Sequence, residues 1–209
     1  MKKLFTAIQK NDTKIVKELL NRSPELISCT FKGAPKKYDG QSPLQVALKE
    51  SSTDTIELLL TFNPDVNFIE DTSCLNVWRA PVIHDAINRA IMCSRWNVNR
   101  PDGVDVFNNE SSADEAFYIL KKIFAMGADA NAKDSFGNAC LDRACIQARQ
   151  ILPANGSNDR ILTKELQSDI SRIFNLLKES GADMNYIAPN AFGKTCKERY
   201  KDETVGEFI

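Results

Sequence analysis

The feature that most constrains this chain is a five-residue pattern, Gly-Ala-Asp-x-Asn, that occurs twice. The sequence reads GADAN at 127–131 and GADMN at 181–185. Each copy follows an apolar run of helical length and precedes a turn that contains glycine. A pattern that returns in the same local context indicates a repeated structural unit rather than one active site.

The clearest copy of this unit spans residues 39–67, beginning with an Asp-Gly turn. Ser42 and Pro43 suit the N-cap and the first position of a helix. Ala47 is a small residue that lets a second helix approach closely. An apolar i, i+3, i+4 stripe then begins at Ile56 and predicts that second helix.

Three other segments follow the same order of turn, helix, helix and polar exit. The N-terminal copy places Leu4 and Ala7 on its first helix. The third begins near Pro81, and we expect its second helix from about Ala113. The fourth begins near Gly137, and the polar residues 192–209 suit an end cap with one face in water.

The sequence resembles the ankyrin repeat family, whose signature is a Thr-Pro-Leu-His-x-Ala helix and a Gly-Ala-Asp-x-Asn exit. The segment SPLQVA at 42–47 matches at Pro, Leu and Ala, and PVIHDA at 81–86 matches at His and Ala. This resemblance implies an all-α solenoid of about four helix-turn-helix repeats, folded as a single domain over residues 1–209. The expected repeats are 1–38, 39–79, 80–133 and 134–190, with a C-terminal cap at 191–209.

Repeats three and four depart from the family because each has more than 20 extra residues between its two helices. In repeat three the insertion between 96 and 112 has the composition of a loop. In repeat four we expect 146–152 to continue the first helix and 160–168 to extend the second backwards. The two insertions would form a lobe, and Trp96 would be either its internal anchor or a contact for a partner.

Composition and charge exclude several classes of protein. The formal net charge is −1, so we expect neither nucleic acid nor an anionic membrane as a partner. The first apolar run ends at Ile8, too short for a secretory signal, and no stretch approaches the ~20 apolar residues of a membrane span.

Six scattered cysteines without a Cys-x-x-Cys pair predict buried thiols, and therefore the cytosol. Secretion as an effector without a standard signal stays open.

We find no motif for a serine nucleophile, a phosphate-binding loop or a dinucleotide site, and we expect no metal and no cofactor. The single histidine, His84, falls where the resemblance implies a hydrogen bond to the backbone between repeats. Asp129 and Asp183, with Asn131 and Asn185, are expected to bond the backbone of their exit loops.

We therefore expect non-catalytic recognition of another protein, by a monomer, with a homodimer left open. The resemblance implies a binding face of exposed turn tips and first helices. The turn-tip residues are Tyr38, Asp39, Trp78, Arg79, Lys133, Asp134, Phe136 and Asn190. The first-helix residues are Gln45, Lys49, Asp85, Arg89, Asp142 and Arg143.

Two alternatives belong to other classes. The chain would be an inhibitor, an immunity-type factor or a host-targeting effector that covers a partner enzyme with the lobe of repeats three and four. The minor alternative is an enzyme whose site lies in the lobe, where a set of charged residues could cluster. These residues are Arg95, Asp102, Asp105, Arg149, Asp159 and Arg160.

Overall fold

A computed structural model describes residues 1–71 and 76–209 of the chain. The structure is mostly helical, with one small two-stranded sheet in the part described. The helices are α1 (Lys2–Gln9), α2 (Thr13–Arg22), α3 (Pro43–Glu50), α4 (Thr53–Leu60), α5 (Val82–Met92), α6 (Glu110–Ala125), α7 (Cys140–Ala148), α8 (Lys164–Glu179) and α9 (Cys196–Tyr200). Short 3₁₀ helices lie at Pro24–Ser28, Lys36–Tyr38 and Thr204–Phe208, and the strands are β1 (Asn97–Arg100) and β2 (Gly103–Val106).

Local capping chemistry explains where several helices begin. The Ser42 hydroxyl accepts from the Gln45 backbone N–H, the Gln45 side chain accepts from the Ser42 N–H, and Pro43 opens α3, as the sequence predicts. The α6 helix begins at Glu110 rather than near Ala113. The reason is that the Asn109 side chain accepts the Ser112 backbone N–H and so caps the helix earlier.

The helices form two layers, each in chain order. In one layer α1 contacts α3, α3 contacts α5, α5 contacts α7, and α7 contacts α9. In the other layer α2 contacts α4, α4 contacts α6, and α6 contacts α8. The first and second helices of each pair also touch, so that a single apolar cluster extends between the layers from Leu4 to Val205. Each fully buried leucine or isoleucine contributes about 1.5–3 kcal/mol to this core.

The two insertions differ from the sequence-based expectation. The helical extensions predicted for repeat four are only partly present: α7 includes 146–148 and ends at Ala148, and α8 begins at Lys164, capped by the Thr163 hydroxyl. The residues between them instead bond to the first insertion: the Asn99 backbone N–H donates to the Asp159 carbonyl oxygen at 2.7 Å. That first insertion, expected as a loop, contains the β1–β2 hairpin.

The cysteines are partly as expected. Cys140, Cys145 and Cys196 are buried, whereas Cys29 and Cys93 are half-buried. Cys74 lies outside the described residues. No helix in the described ranges has both the length and the apolar content needed to cross a bilayer.

Candidate protein-interaction surface

Successive turns on one edge of the molecule are joined to each other by hydrogen bonds. The Asp71 backbone N–H donates to the Gly40 carbonyl oxygen at 3.0 Å, and the Ser135 N–H donates to the Arg79 carbonyl oxygen at 2.9 Å. The Ser135 hydroxyl also accepts from the Arg79 N–H and donates to the Val77 carbonyl oxygen. We call this row of turns, residues 31–41, 68–71, 76–81, 133–138 and 186–193, the turn strip.

The last junction of the turn strip depends on a glycine. Gly137 has a φ of +81°, and a Cβ at this position would lie 2.7 Å from the Pro189 ring. The Tyr186 hydroxyl donates to the Gly137 carbonyl oxygen at 2.8 Å, and the Lys133 ammonium lies 4.2 Å from the centre of the Tyr186 ring. Close contact between these turns therefore requires glycine at 137.

Trp78 connects two turns of the strip rather than projecting freely. Its indole N–H donates to a carboxylate oxygen of Asp134 at 2.8 Å, and the Arg143 guanidinium lies 5.1 Å from its ring centre. Burial alone would raise the pKa of Asp134, but hydrogen bonds from Asn138 and Trp78 outweigh it and hold the pKa below its usual value. Asp134 is therefore a buried carboxylate that organises the turn.

Apolar side chains project from the outer part of the strip. Val77, Phe136 and Ile187 are exposed, Phe136 by 46%, and Phe192 is exposed by 94%. Single exposed apolar residues are ordinary, but four on consecutive turns of one edge are typical of a binding surface. Phe136 is in the set of binding residues predicted from sequence; Phe192, which precedes a turn glycine in the same way, is indicated by the sequence as a turn aromatic but is not in that set.

Phe192 has an unusual backbone as well as an exposed ring. Its φ is +53°, a left-handed conformation that costs a residue with a Cβ about 1–2 kcal/mol. The ring gains almost no packing in return, since nearly all of it faces solvent. A strained residue without a packing role is a candidate for function.

The predicted first-helix residues are largely used within the fold. The Gln45 side-chain amide donates to the Ala80 carbonyl oxygen at 3.0 Å and to Asp85 at 3.2 Å. The Lys49 ammonium lies 3.3 Å from Asp85 and 3.6 Å from the buried Glu70. Burial raises the pKa of Asp85 to about 6, although the charge of Lys49 offsets part of the effect. These contacts join α3 to α5 and the turn before it.

Six of the residues predicted to be exposed are buried, and that part of the prediction is wrong. They are Tyr38, Asp39, Gln45, Asp85, Asp134 and Asp142. The contacts of Gln45, Asp85 and Asp134 are described above. Tyr38 packs edge-on against Phe31 with ring centres 5.7 Å apart, and the Asp39 carboxylate accepts a hydrogen bond from the Gly33 N–H. Asp142 forms an ion pair with Arg199. In each case a contact within the fold takes up a side chain that looked available.

The other predicted residues reach the surface to different degrees. Lys49, Lys133, Phe136 and Asn190 are exposed, while Trp78, Arg79, Arg89 and Arg143 are half-buried. Arg89 donates to the Leu48 carbonyl oxygen at 3.2 Å and so ties α5 to α3. The structure therefore brings Lys133 and Phe136 together on one turn, with Asn190 on the next.

His84 has the structural role that the resemblance implied. It is fully buried on α5, and its Nε2–H donates to the Ala132 carbonyl oxygen at 3.0 Å. Burial lowers the pKa of His84 to about 4, so the ring is neutral at physiological pH. The predicted exit-loop bonds are also confirmed: Asp129 accepts the Asn131 N–H at 2.8 Å, and Asp183 accepts the Asn185 N–H at 2.9 Å.

The charged residues of the lobe have separate partners. Arg95 forms three hydrogen bonds to Asp169 on α8, one from its backbone and two from its guanidinium. Arg149 pairs with Glu203 beside the C-terminal cap. In the hairpin Arg100 pairs with Asp105, while Asp159 pairs with its neighbour Arg160, and Asp102 is exposed. Arg95, Asp105 and Arg149 therefore contact groups outside the predicted set, and the six residues do not converge on one point.

Trp96 is an anchor within the lobe. Its ring stacks on Phe107 with centres 4.2 Å apart and planes inclined by 11°. Phe107 thus covers one face of the Trp96 ring and remains the more exposed of the two.

No known family model matches this chain. A comparison with curated proteins gives no match either.

Proposed function

We propose that this chain is an ankyrin-type repeat protein, folded as one domain, that recognises another protein through the turn strip and does not catalyse a reaction. The two helix layers, the joined turns and the repeated Asp-x-Asn exits support the ankyrin assignment. Three fully buried thiols support a reducing compartment such as the cytosol.

The exposed ring of Phe192, on a strained left-handed backbone, carries the proposal. Together with Phe136 on the preceding turn it offers two aromatic side chains on a backbone held in place by hydrogen bonds. Rigid aromatic anchors lose little conformational entropy on binding, and burying a phenylalanine contributes about 1.5–3 kcal/mol. The surrounding charges are mixed, so affinity should depend on apolar contact more than on long-range attraction.

A pair of matched variants tests this. Phe136→Ala with Phe192→Ala removes two exposed rings of the strip, while Ile15→Ala with Tyr118→Ala removes two side chains from the second-helix layer that are about as exposed as Phe136. A partner is first captured with the wild-type chain by cross-linking and identified by mass spectrometry, and its affinity for each variant is then measured.

We expect the strip variant to weaken binding by at least about tenfold, which corresponds to 1.4 kcal/mol, and the control variant to bind like wild type. A partner that binds the strip variant and wild type equally would reject the turn strip as its site. If the partner is lost only when the lobe is altered, the inhibitor or effector alternative replaces the proposal.

A further inference from the structure

The two outer edges of the β1–β2 hairpin differ. In the described residues, the outer edge of β1 is hydrogen-bonded to another segment, and the outer edge of β2 is not. In its antiparallel register Asn97 lies opposite Val106, Val98 opposite Asp105, and Asn99 opposite Val104. Beyond the hairpin's strands, the Phe107 N–H donates to the Trp96 carbonyl oxygen at 2.8 Å. Hydrogen-bonded and non-hydrogen-bonded pairs alternate along an antiparallel ladder, and the pair of Trp96 with Phe107 is bonded. The pairs of Val104 and Val106 with β1 are therefore non-bonded, and the N–H and C=O groups of the two valines point away from β1.

The other edge of β1 is already occupied. Residues 158–161 run along it, where Asn99 bonds to Asp159 through its backbone and to Asn158 through its side chain. The Asn97 side chain both donates to the Ile161 carbonyl oxygen at 2.8 Å and accepts the Ile161 N–H at 2.9 Å. A further strand can therefore join this sheet only beside β2.

The β2 edge is open to solvent over its whole length. All four of its residues are exposed, Val104 by 45% and Val106 by 61%. Within residues 1–71 and 76–209, no hydrogen bond from either valine's amide or carbonyl to another element is found. An unpaired edge with apolar side chains readily pairs with another chain unless it is protected.

The edge is also held rigidly in place. The Trp96–Phe107 stack fixes the base of the hairpin to the body of the protein. The Asn108 side chain donates to the carbonyl oxygens of Met92 and Ser94 at the end of α5. A template that is ordered before binding loses less entropy when a partner pairs with it.

Charge indicates which kind of segment fits. Asp105 lies on the face of β2 opposite the two valines, is 57% exposed, and within the described residues is paired with the equally exposed Arg100. Asp102 in the adjacent turn is exposed as well. We propose that β2 accepts an extended segment of a partner protein, with apolar residues beside Val104 and Val106 and a basic residue between them beside Asp105. Two N–H and two C=O groups of β2 would bond to its backbone.

The proposal is separate from the turn strip, and its test uses a defined probe. The probe is an acetylated and amidated hexapeptide of alternating lysine and valine. Amide hydrogen exchange of the whole protein is followed by NMR with and without the peptide. We expect the Val104 and Val106 amide protons to exchange at least about tenfold more slowly at saturation, while the amides at the turn strip do not change.

Two controls distinguish backbone pairing of the peptide with β2 from nonspecific binding of the peptide to the protein. The first is the same peptide N-methylated at every residue, which removes its donors along both edges; it should bind wild type at least about tenfold more weakly. The second compares Val106→Pro with Val106→Thr. Proline removes an N–H that makes no bond to β1, and threonine keeps it, so we expect only the proline variant to lose the peptide.

Unchanged exchange at Val104 and Val106 with millimolar peptide would overturn the proposal, as would equal binding of the N-methylated peptide. If Val106→Pro unfolds the hairpin, the test depends on how strongly the N-methylated peptide binds the wild-type chain. A peptide of alternating valine and glutamate that bound as tightly as the lysine peptide would overturn the basic-residue assignment.

Discussion

The side chain of Asn131 accepts a hydrogen bond from the Asp183 backbone N–H at 2.7 Å, joining one exit loop to the next. The same amide donates to the Gly181 carbonyl oxygen at 2.9 Å. Asn67 forms the equivalent pair of bonds one step earlier, to Asp129 and Gly127. Asn67 and Asn131 thus each hold the following unit, while the Asp of each exit bonds within its own loop.

Asn131→Ala should lower the free energy of unfolding by about 1–2 kcal/mol, because it removes both bonds and leaves the Gly181 and Asp183 backbone groups without their partners. Asn185→Ala is the matched control, since in the described residues its side chain makes no bond of this kind. Urea unfolding of the two variants measures the difference. Equal losses would show that the exit bonds add nothing to stability.

Arg95→Ala should destabilise the protein by roughly 3 kcal/mol, because it strips most of the hydrogen bonds from the buried carboxylate of Asp169. The Arg172 guanidinium, 3.1 Å away, would remain as a partner and limit the loss. Arg100→Ala breaks an exposed pair with Asp105 and should cost less than about 1 kcal/mol. Thermal unfolding compares the two, and a larger effect at Arg100 would contradict the assignment.

His84 should make the protein sensitive to acid. Because burial lowers its pKa to about 4 in the folded state, the unfolded chain, with a pKa near 6.5, takes up the proton first as the pH falls. The contribution of neutral, buried His84 to the free energy of unfolding is present above about pH 6.5 and is lost as the pH falls toward 4. His84→Gln keeps a donor for the Ala132 carbonyl oxygen but cannot titrate.

The stability advantage of wild type over His84→Gln should therefore shrink by roughly 2–3 kcal/mol between pH 7 and pH 4.5. Urea unfolding at several pH values measures it, and taking the difference between the two proteins cancels the titration of other groups. A difference that is constant with pH would mean that His84 is not buried in the neutral form.

Phe192→Asn should stabilise the fold and weaken recognition at once. Asparagine tolerates the left-handed backbone better than phenylalanine, and the lost ring makes almost no contacts, so we expect a gain of about 0.5–1 kcal/mol. Chemical denaturation measures the gain, and the partner's affinity measures the loss. Phe136→Asn, at a position where φ is not positive, serves as the comparison and should give no gain.

Much of the local structure follows from the sequence because its causes lie within a few residues. Ser42 and Pro43 specify the start of α3, and the apolar stripe that begins at Ile56 specifies α4. Each exit loop is formed by an Asp that bonds a backbone N–H two residues ahead, as at Asp129 and Asn131. Such interactions can be inferred without knowing where the rest of the chain lies.

The binding surface and the lobe depend on contacts that the sequence does not display. Asp134 and Asp142 look like exposed charges, but Trp78 and Arg199, more than 50 positions away in each case, bury them. The insertion after α7 forms only part of its predicted helices, because Asn97 and Asn99 of the other insertion bond the backbone at 158–161 in an extended form. Sequence alone determined the helices and their caps, since these are short-range. Tertiary structure decided which polar side chains remain available, since burial depends on partners that only folding brings together.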